Sequence, residues 1–239
     1  MKKVAMIPAR YGATRFPKKM LADLAGKPVI VRTYEAAQAT KLFDEVWVVT
    51  DHEEIQQAIE KAGGKVFMSQ KTHESGTDRI AEAAENMDFE VILNIQGDEP
   101  FVSRTDLEKV LNLFEDPTVK VASIMKKMEN ESDIIDPNFV KVVVDKNFNS
   151  LLFSRSPVPY RRDKNVAIDI YEHRGVYAFR KEALIAFTQM EMTPLEKVEK
   201  IECLRFLENG IPLKMVVTDF EGVEIDTEED LKRATKLFE

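Results

Sequence analysis

The chain has 239 residues, of which 44% are hydrophobic and 32% are charged, a composition typical of a soluble globular protein with a full core. Its formal net charge of −8 and the absence of a long basic run argue against a protein that binds nucleic acid or a membrane surface. The single cysteine, Cys203, excludes an intramolecular disulfide and a cysteine-based zinc site, as expected for a reducing cytoplasm.

The amino terminus begins like a secretory leader, with Lys2 and Lys3 ahead of an apolar run. That run stops at Pro8, which is too early for the apolar region of a signal peptide. No other run is long enough to span a bilayer. We therefore expect a cytoplasmic protein that acts without a membrane.

Short apolar runs alternate with amphipathic stretches along the first half of the chain. This alternation predicts an α/β fold with a mostly parallel sheet and right-handed crossovers. The predicted strands are residues 4–7, 46–49, 65–68 and 91–95. The predicted helices are residues 29–40, 53–62, 78–86 and 105–114.

Beyond Pro117 the predicted strands follow one another without a full helix between them, which favours antiparallel or mixed additions to the sheet. The predicted strands here are residues 119–125, 140–144, 150–153, 175–179 and 213–218. The predicted helices are residues 181–189, 195–209 and 227–238. Residues 156–169 are polar, contain two prolines and predict a loop or a protruding arm.

The basic loop, residues 8–19, follows the first predicted strand and carries four cations within ten residues. Ligands bind at the carboxyl ends of strands in an open α/β sheet, and clustered Arg and Lys there indicate a phosphate chain. Neither a Walker A motif nor a G-x-G-x-x-G fingerprint occurs, so side chains have to contribute to binding the phosphates. Arg10 and Arg15 are suited to bidentate contacts with phosphate oxygens, and Lys19 supplies a point charge. The alternative is a solvated basic turn.

The acidic turn, residues 96–100, directly follows the predicted strand 91–95. Gly97 permits a tight turn, and Asp98 emerges at the same sheet edge as the basic loop if the two strands are neighbours. A carboxylate beside a phosphate site is repulsive unless a cation bridges them, so Asp98 is a candidate Mg²⁺ ligand. The alternative is an Asp that hydrogen-bonds its own backbone.

Two further segments have both a helix-capping and a functional interpretation. Thr227 and Asp230 resemble a capping box that opens the last helix, and capping is also the stronger interpretation of Asp226. Residues 75–79, Ser-Gly-Thr-Asp-Arg, offer backbone N–H groups and hydroxyls to a base edge or a phosphate. Taken alone, that turn is a good N-cap.

Candidate sugar-binding residues occur in the second half of the chain. Glu199 and Glu202 share one face of a predicted helix. With Arg155, His173 and Tyr177 they form a set suited to a polar, acidic sugar, in which the Arg pairs with the sugar carboxylate and the glutamates accept hydroxyls. Taken singly, the glutamates are typical of a solvated helix face, and the histidine is typical of a structural one.

These segments together resemble the 3-deoxy-manno-octulosonate (Kdo) cytidylyltransferases, also called CMP-Kdo synthetases. The resemblance extends through essentially the whole chain, with the motifs in the family's order. The matching segments are residues 7–11, 14–15, 50–51, 75–79, 94–100, 140–143, 153–156, 175–177, 194–196 and 225–231. Any one of them is a weak signal, but their order makes the set very specific.

The resemblance implies a GT-A-like (Rossmann-like) α/β fold, a mixed, mostly parallel sheet flanked by helices, with a small antiparallel extension for dimerisation. It implies one nucleotidyltransferase domain, residues 1–239, in which residues 1–118 bind CTP and residues 119–239 bind the sugar and form a homodimer. It also implies that the enzyme makes CMP-Kdo and pyrophosphate from CTP and Kdo, with Mg²⁺, for lipopolysaccharide assembly.

The resemblance further assigns roles to single residues. The expected catalytic residues are Arg10, Arg15, Lys19 and Asp98. The expected nucleotide contacts are Pro8, Ala9, Arg10, Arg15, Lys19, Ser75, Gly76, Thr77, Arg79 and Gln96. The expected sugar contacts are Gln96, Arg155, His173, Tyr177, Glu199 and Glu202. The expected Mg²⁺ ligands are Asp98 and Asp226, which overrides the capping interpretation of Asp226.

Two departures from the family pattern lie in the part expected to face the sugar. Cys203 stands where the family commonly has Gln, and Arg174 where it commonly has an apolar residue. They leave open an amino-substituted sugar such as 8-amino-3,8-dideoxy-Kdo. A glycosyltransferase is disfavoured because no D-x-D motif occurs. A non-catalytic, nucleotide-binding regulator is a remote alternative, since neither the metal carboxylates nor the loop cations are missing.

Overall fold

A computed structural model describes residues 1–12, 16–73 and 75–238 of the chain. The strands of these residues are β1 Lys3–Ala9, β2 Asp23–Leu24, β3 Lys27–Pro28, β4 Glu45–Thr50, β5 Lys65–Met68, β6 Val91–Asn94, β7 Val121–Lys127, β8 Lys141–Val144, β9 Ser150–Ser154, β10 Tyr171–Arg180 and β11 Lys214–Thr218. The helices are α1 Val29–Ala39, α2 Glu53–Lys61, α3 Gly76–Glu85, α4 Arg104–Asn112, α5 Glu131–Ile135, α6 Lys181–Gln189, α7 Pro194–Glu199, α8 Leu204–Glu208 and α9 Glu228–Thr235. Among these helices, none combines the length and the apolar character needed to cross a membrane.

The chain divides into two compact units. The first unit contains Met1–Leu107 and the C-terminal segment from Glu221, and the second contains Glu108–Phe220. The C-terminal segment, expected in the sugar-binding half, is thus part of the first unit. The functions expected of the two halves stay predictions.

The first unit is built on a parallel sheet with the strand order β6–β1–β4–β5. In the central strand β1, Met6 pairs with Asn94 of β6 on one side and with Trp47 of β4 on the other. Residues 4–7 are completely buried, as expected for a parallel strand with both faces covered. The predicted mostly parallel sheet is confirmed, and the carboxyl ends of β1, β4 and β6 meet at one edge.

The second unit contains a mixed sheet. β7 pairs antiparallel with β10 and parallel with β11, while β8 pairs antiparallel with β9 and with the start of β10. The register of the β7–β10 ladder shifts between Arg174 and Tyr177. The antiparallel additions predicted beyond Pro117 are therefore confirmed, whereas their role in dimerisation stays a prediction.

Most predicted helices form, with ends that differ by a few residues. α3 begins at Gly76, two residues earlier than predicted, because Ser75 already caps it. The sequence patterns missed the short helix α5 and the β2–β3 hairpin. In that hairpin, Ala25 and Gly26 adopt φ angles of 52° and 85°, the two positive values that a type I′ turn requires.

The single helix predicted over residues 195–209 is wrong. α7 ends at Glu199, and Lys200 adopts a left-handed φ of 55° before α8 begins. Glu199 and Glu202 therefore lie on different segments and do not share one helical face.

A buried ion pair explains the break. The Arg205 guanidinium contacts the two carboxylate oxygens of Glu196 at 2.6 and 2.8 Å, and it lies over the ring of Phe187. In one continuous helix, residues nine positions apart lie on opposite sides and about 13 Å apart along the axis. The pair between Glu196 and Arg205 thus requires the chain to turn back between α7 and α8.

Candidate active site

A cavity of about 280 Å³ opens at the carboxyl edge of the parallel sheet in the first unit. Its walls come from the basic loop, the acidic turn, the start of α3 and the segment before α9. The residues lining it are Pro8, Arg10, Gly12, Phe16, Lys19, Met20, Gly76, Gln96, Gly97, Asp98 and Asp226. The structure therefore brings together four segments that lie far apart in the sequence.

Two glycines let the cavity walls approach Pro8 closely. A Cβ on Gly97 would lie 2.9 Å from the Pro8 carbonyl oxygen, and a Cβ on Gly76 would lie 3.2 Å from Pro8 Cγ. Thr33 holds the acidic turn in place, since its Oγ1 donates to the Gly97 carbonyl oxygen at 2.8 Å. A side chain at Gly97 would push the turn away from the end of β1.

The ammonium of Lys19 lies between two carboxylates of the cavity. Its Nζ is 2.6 Å from Asp98 Oδ2 and 2.8 Å from Asp226 Oδ1, and 9% of the side chain is exposed. Burial acts to lower the pKa of Lys19, but the charges and hydrogen bonds of the two aspartates outweigh burial and raise that pKa. Lys19 is therefore a permanent cation. The sequence predicted its contact with phosphate, and the structure adds a contact with the acidic pair.

Asp226 reaches the cavity because the residue before it is anchored to the acidic turn. The Ile225 N–H donates to the Asp98 carbonyl oxygen at 3.0 Å, and the Ile225 side chain is fully buried. The predicted capping box of α9 is confirmed, since Thr227 Oγ1 accepts from the Asp230 N–H at 3.2 Å and Asp230 Oδ2 accepts from the Thr227 N–H at 3.0 Å. Thr227 is the N-cap, so the Asp226 carboxylate faces Lys19 and not the helix.

Three carboxylates of the first unit are suited to hold a metal ion together. One oxygen each from Asp98, Glu224 and Asp226 lie within 4.8 Å of one another. Carboxylate oxygens are the ligands that Mg²⁺ prefers, so the residues present fit the expected ion. Glu224 was not predicted from the sequence. Its available signal was the position two residues before Asp226, a spacing that puts side chains on the same side of an extended chain.

The turn before α3 contributes one residue to the cavity lining. Ser75 is the N-cap, and its Oγ accepts from the Asp78 N–H at 3.1 Å, as the capping interpretation predicts. Thr77 is buried, and Gly76 is the member of residues 75–79 that lines the cavity. Nucleotide contacts of Ser75 and Thr77 stay predictions.

Arg79 is a buried cation that does not line the cavity. One of its N–H groups donates to Asp51 Oδ2 at 2.8 Å. Its buried Nε and Nη1 have no hydrogen-bond partner in the part of the chain that the structure describes. The nucleotide contacts expected of Arg79 and of the fully buried Ala9 stay predictions, and Arg15 lies outside the described residues.

The second unit contains the His173 cluster, which consists of Ser123, Phe153, His173, Tyr177 and Cys203. His173 Nε2 lies 3.0 Å from Ser123 Oγ. The centre of the His173 ring is 5.0 Å from that of Phe153 and 5.2 Å from that of Tyr177. The Tyr177 hydroxyl donates a hydrogen bond to the Cys203 sulfur. The structure thus brings together two predicted sugar contacts, His173 and Tyr177.

The His173 cluster is uncharged. Burial, helped by the charge of Arg174, lowers the pKa of His173 to about 3. Burial raises the pKa of Tyr177 well above its usual value, with smaller contributions from Cys203 and Glu202, and burial also raises the pKa of the Cys203 thiol. The cluster therefore offers hydrogen-bonding groups without a net charge.

Arg155 and Glu199, both predicted to contact the sugar, contact each other. The Glu199 carboxylate accepts from the Ser154 hydroxyl at 2.7 Å and from the Arg155 N–H at 2.9 Å. Arg155 Nε donates to the Glu199 carbonyl oxygen at 2.7 Å, and Nη1 donates to the Pro137 carbonyl oxygen at 2.8 Å. These contacts join the end of β9 to α7, and sugar binding by the two residues stays a prediction.

The chain is similar in sequence to known cytidylyltransferases. The family model described as cytidylyltransferase matches residues 4–224. The 3-deoxy-manno-octulosonate cytidylyltransferase of Flavobacterium johnsoniae is 54% identical, over 99% of this chain and 98% of its own length. The enzyme of the same name from Christiangramia forsetii is 52% identical, over 98% of this chain and 96% of its own length.

The structure is similar to solved structures as well. CMP:2-keto-3-deoxy-manno-octonic acid synthetase, solved in complex with CTP, has a TM-score of 0.95 at 37% identity, over 100% of this chain and 98% of that one. The 4-diphosphocytidyl-2C-methyl-D-erythritol synthase of Anaerococcus prevotii has a TM-score of 0.67 at 18% identity, over 99% of this chain and 98% of that one, which is a likeness of fold alone.

Proposed function

As the chain belongs to the cytidylyltransferase family, we propose that it transfers CMP from CTP to the anomeric hydroxyl of Kdo and releases pyrophosphate. The product, CMP-Kdo, serves lipopolysaccharide assembly. The observation that carries the proposal is the cavity in which Arg10, Lys19, Asp98 and Asp226 meet at the carboxyl edge of a parallel sheet. Nucleotidyl transfer requires both cations for a triphosphate and acids for a metal ion.

The basic loop binds the triphosphate of CTP in this proposal. Arg10 lines the cavity and is suited to bidentate contacts with phosphate oxygens. α3 begins at the cavity with Gly76, so the backbone N–H groups of its first turn add partial positive charge. Lys19 and the loop cations would stabilise the charge that develops on the leaving pyrophosphate.

The cofactor of the proposal is Mg²⁺, which Asp98, Glu224 and Asp226 would hold. When bound, the ion would withdraw charge from the phosphate oxygens and lower the pKa of the sugar hydroxyl. Lys19 contacts two of the same carboxylates, so its charge reduces their repulsion for the triphosphate.

The proposed reaction is an in-line displacement at phosphorus. The anomeric hydroxyl oxygen of Kdo forms a bond to the α-phosphorus, and the bond from that phosphorus to the bridging oxygen breaks. Pyrophosphate leaves, and the hydroxyl proton is released. Such a transfer needs little covalent chemistry from the protein, so positioning by the basic loop and charge neutralisation by Lys19 supply most of the rate.

The His173 cluster is the proposed binding site for the sugar. A neutral imidazole both donates and accepts hydrogen bonds, and Tyr177 adds a hydroxyl, so the cluster is suited to sugar hydroxyls.

One observation favours 8-amino-3,8-dideoxy-Kdo as a second candidate substrate. The Glu202 carboxylate acts electrostatically on Tyr177 and Cys203, which places a negative charge where an ammonium group would be attracted.

We also propose a cytoplasmic homodimer, with the arm of residues 156–169 as part of its interface. The arm contains neither helix nor strand, and it exposes the apolar side chains of Tyr160, Val166 and Ile168. Three exposed apolar side chains within one short arm favour an interface between proteins. Light scattering at micromolar concentration tests the proposal, and a monomeric mass would contradict it.

Pyrophosphate release tests the proposed activity. The purified chain is incubated with CTP, Mg²⁺ and one acid sugar at a time: Kdo, 8-amino-3,8-dideoxy-Kdo or a sialic acid. We expect the fastest release with Kdo, together with a CMP-sugar product. A preference for the amino sugar would support the second candidate. Binding of CTP without release of pyrophosphate with any sugar would favour the non-catalytic regulator.

A further inference from the structure

Glu82 of α3 accepts three hydrogen-bond donors from one short segment. Its carboxylate contacts the Ser69 hydroxyl, the Gln70 N–H at 3.0 Å and His73 Nε2 at 2.7 Å. The side chains of Glu82 and His73 are each only 10% exposed. Burial acts to raise the pKa of Glu82, but the three partners outweigh it and lower that pKa, so the carboxylate is ionised.

These contacts connect the segment before α3 to the middle of the helix. Glu82 lies seven residues after the N-cap Ser75, so two helical turns place both on the same side of the helix. Residues 69–73 lead from the end of β5 towards the cap, and Gly76, next to the cap, lines the cavity. The position of Gly76 is therefore coupled to the contacts of Glu82.

α3 is held from a second direction by Arg79. Its Nη2 lies 2.8 Å from Oδ2 of Asp51, which directly follows β4, and 3% of its side chain is exposed. At the start of the helix, Gly76 lies so close to Pro8 that an added Cβ would be 3.2 Å from the Pro8 ring. Because the interior is close-packed, a shift of α3 would move the cavity wall.

We infer that Glu82 is a positioning residue for the nucleotide. By holding residues 69–73 against α3, it keeps the first turn of the helix, and Gly76 with it, at the place beside Pro8 that CTP binding requires. Glu82 does not line the cavity, so it acts through the helix and not on the ligand. The inference deepens the proposed function and rests on it, since it takes the cavity to be the CTP site.

Glu82→Gln tests the inference because it keeps the size of the side chain and removes the negative charge that attracts the three hydrogen-bond donors. The dissociation constant of CTP with Mg²⁺, measured by calorimetry without sugar, and the KM for CTP should each rise about tenfold. The value of kcat should change by less than about twofold, since no group that contacts the reacting atoms is removed. The matched control is Glu85→Gln, an exposed position on the same helix, which should change none of these values.

His73→Gln is a milder variant, since glutamine keeps an N–H donor for Glu82. We expect the CTP dissociation constant to rise about twofold to threefold in this variant, less than in Glu82→Gln. Circular dichroism shows whether each variant is folded. A folded Glu82→Gln variant with an unchanged CTP dissociation constant overturns the inference, and so does a fall in kcat with an unchanged KM. If Glu82→Gln does not fold, an unchanged constant in His73→Gln overturns it.

The same measurements separate this inference from the proposed function. A wild-type chain that binds CTP but releases no pyrophosphate with any sugar overturns the proposed function. The CTP dissociation constants of the wild type and of Glu82→Gln still test the positioning role in that case. An active wild-type chain beside an unaffected Glu82→Gln variant overturns the positioning role alone. A wild-type chain that does not bind CTP overturns both.

Discussion

The cavity around Lys19 in the first unit contains charged side chains, whereas the His173 cluster in the second unit is uncharged. Lys19 and the carboxylates of Asp98 and Asp226 are three full charges joined by contacts of 2.6 and 2.8 Å. His173 and Tyr177 are both neutral. In the proposed function, charge is concentrated where the phosphate charge would change, and neutral polar groups lie where hydrogen bonds and shape would select a sugar.

The comparison also shows what decides the charge of a buried base. Burial acts in the same direction on Lys19 and on His173, since it lowers the pKa of any base. Two aspartates outweigh burial at Lys19, so its pKa rises. At His173 the charge of Arg174 adds to burial, and the pKa falls to about 3. A pair of carboxylates therefore keeps Lys19 charged despite burial, whereas burial itself is the main cause that keeps His173 neutral.

Asp98→Asn should have the largest effect, because it removes a charge from the region that depends on charge. We expect kcat to fall by about a thousandfold while the fold is kept, since asparagine has the same shape and a weaker affinity for Mg²⁺. Pyrophosphate release and circular dichroism measure the two properties. Asp88→Asn, at a side chain that is 93% exposed, is the control. Activity near the wild-type level with Mg²⁺ would contradict the metal assignment.

Lys19→Met should lower kcat by about a hundredfold, because a cation beside the triphosphate is lost. It should also lower the free energy of unfolding by about 1–3 kcal/mol, since Asp98 and Asp226 then face each other with only partial screening by solvent. Added Mg²⁺ should raise the melting temperature of the variant more than that of the wild type. Lys61→Met, at an exposed position outside the basic loop, is the control. An equal response to Mg²⁺ would show that Lys19 does not neutralise the pair.

The first region was easier to predict from sequence than the second, for a physical reason. The basic loop and the acidic turn each follow a buried parallel strand, so their meeting at one sheet edge follows from topology. Asp226 was assigned by the family resemblance, because the capping residues beside it give no sign that Ile225 binds the Asp98 carbonyl oxygen.

The structure of the second region depends on contacts between residues distant in sequence, which the periodicity of apolar residues does not reveal. The break at Lys200 exists because Glu196 and Arg205 meet across nine residues, and the pattern of apolar residues alone favoured one helix.

Glu82 of the first unit was missed for the same reason: a glutamate on a helix is typical of a solvated face, and its three partners lie 9 to 13 residues earlier in the chain.

His173→Gln tests the neutral region through the pH dependence of stability. The unfolded histidine takes up a proton near pH 6.5, whereas the folded one does so near pH 3, so its contribution is complete above pH 6.5 and is lost as the pH falls. Between pH 6.5 and pH 4.5 the wild type should lose about 2 kcal/mol more unfolding free energy than the variant. Urea unfolding at both pH values measures this difference. Equal losses would mean that His173 carries a proton in the folded protein.

Glu224→Gln should have the smallest effect of the four, because it removes one of three carboxylates and leaves Asp98, Asp226 and Lys19 in place. The Mg²⁺ concentration needed for half-maximal activity should rise about tenfold, while kcat at saturating Mg²⁺ should stay within about threefold of the wild type. Titration with Mn²⁺, followed by electron paramagnetic resonance without substrates, should show the same loss of affinity. Glu228→Gln, exposed in the first turn of α9, should leave metal affinity unchanged. If Glu224→Gln also binds Mn²⁺ as tightly as the wild type, Glu224 is not a ligand, and the charged region depends on its two aspartates alone.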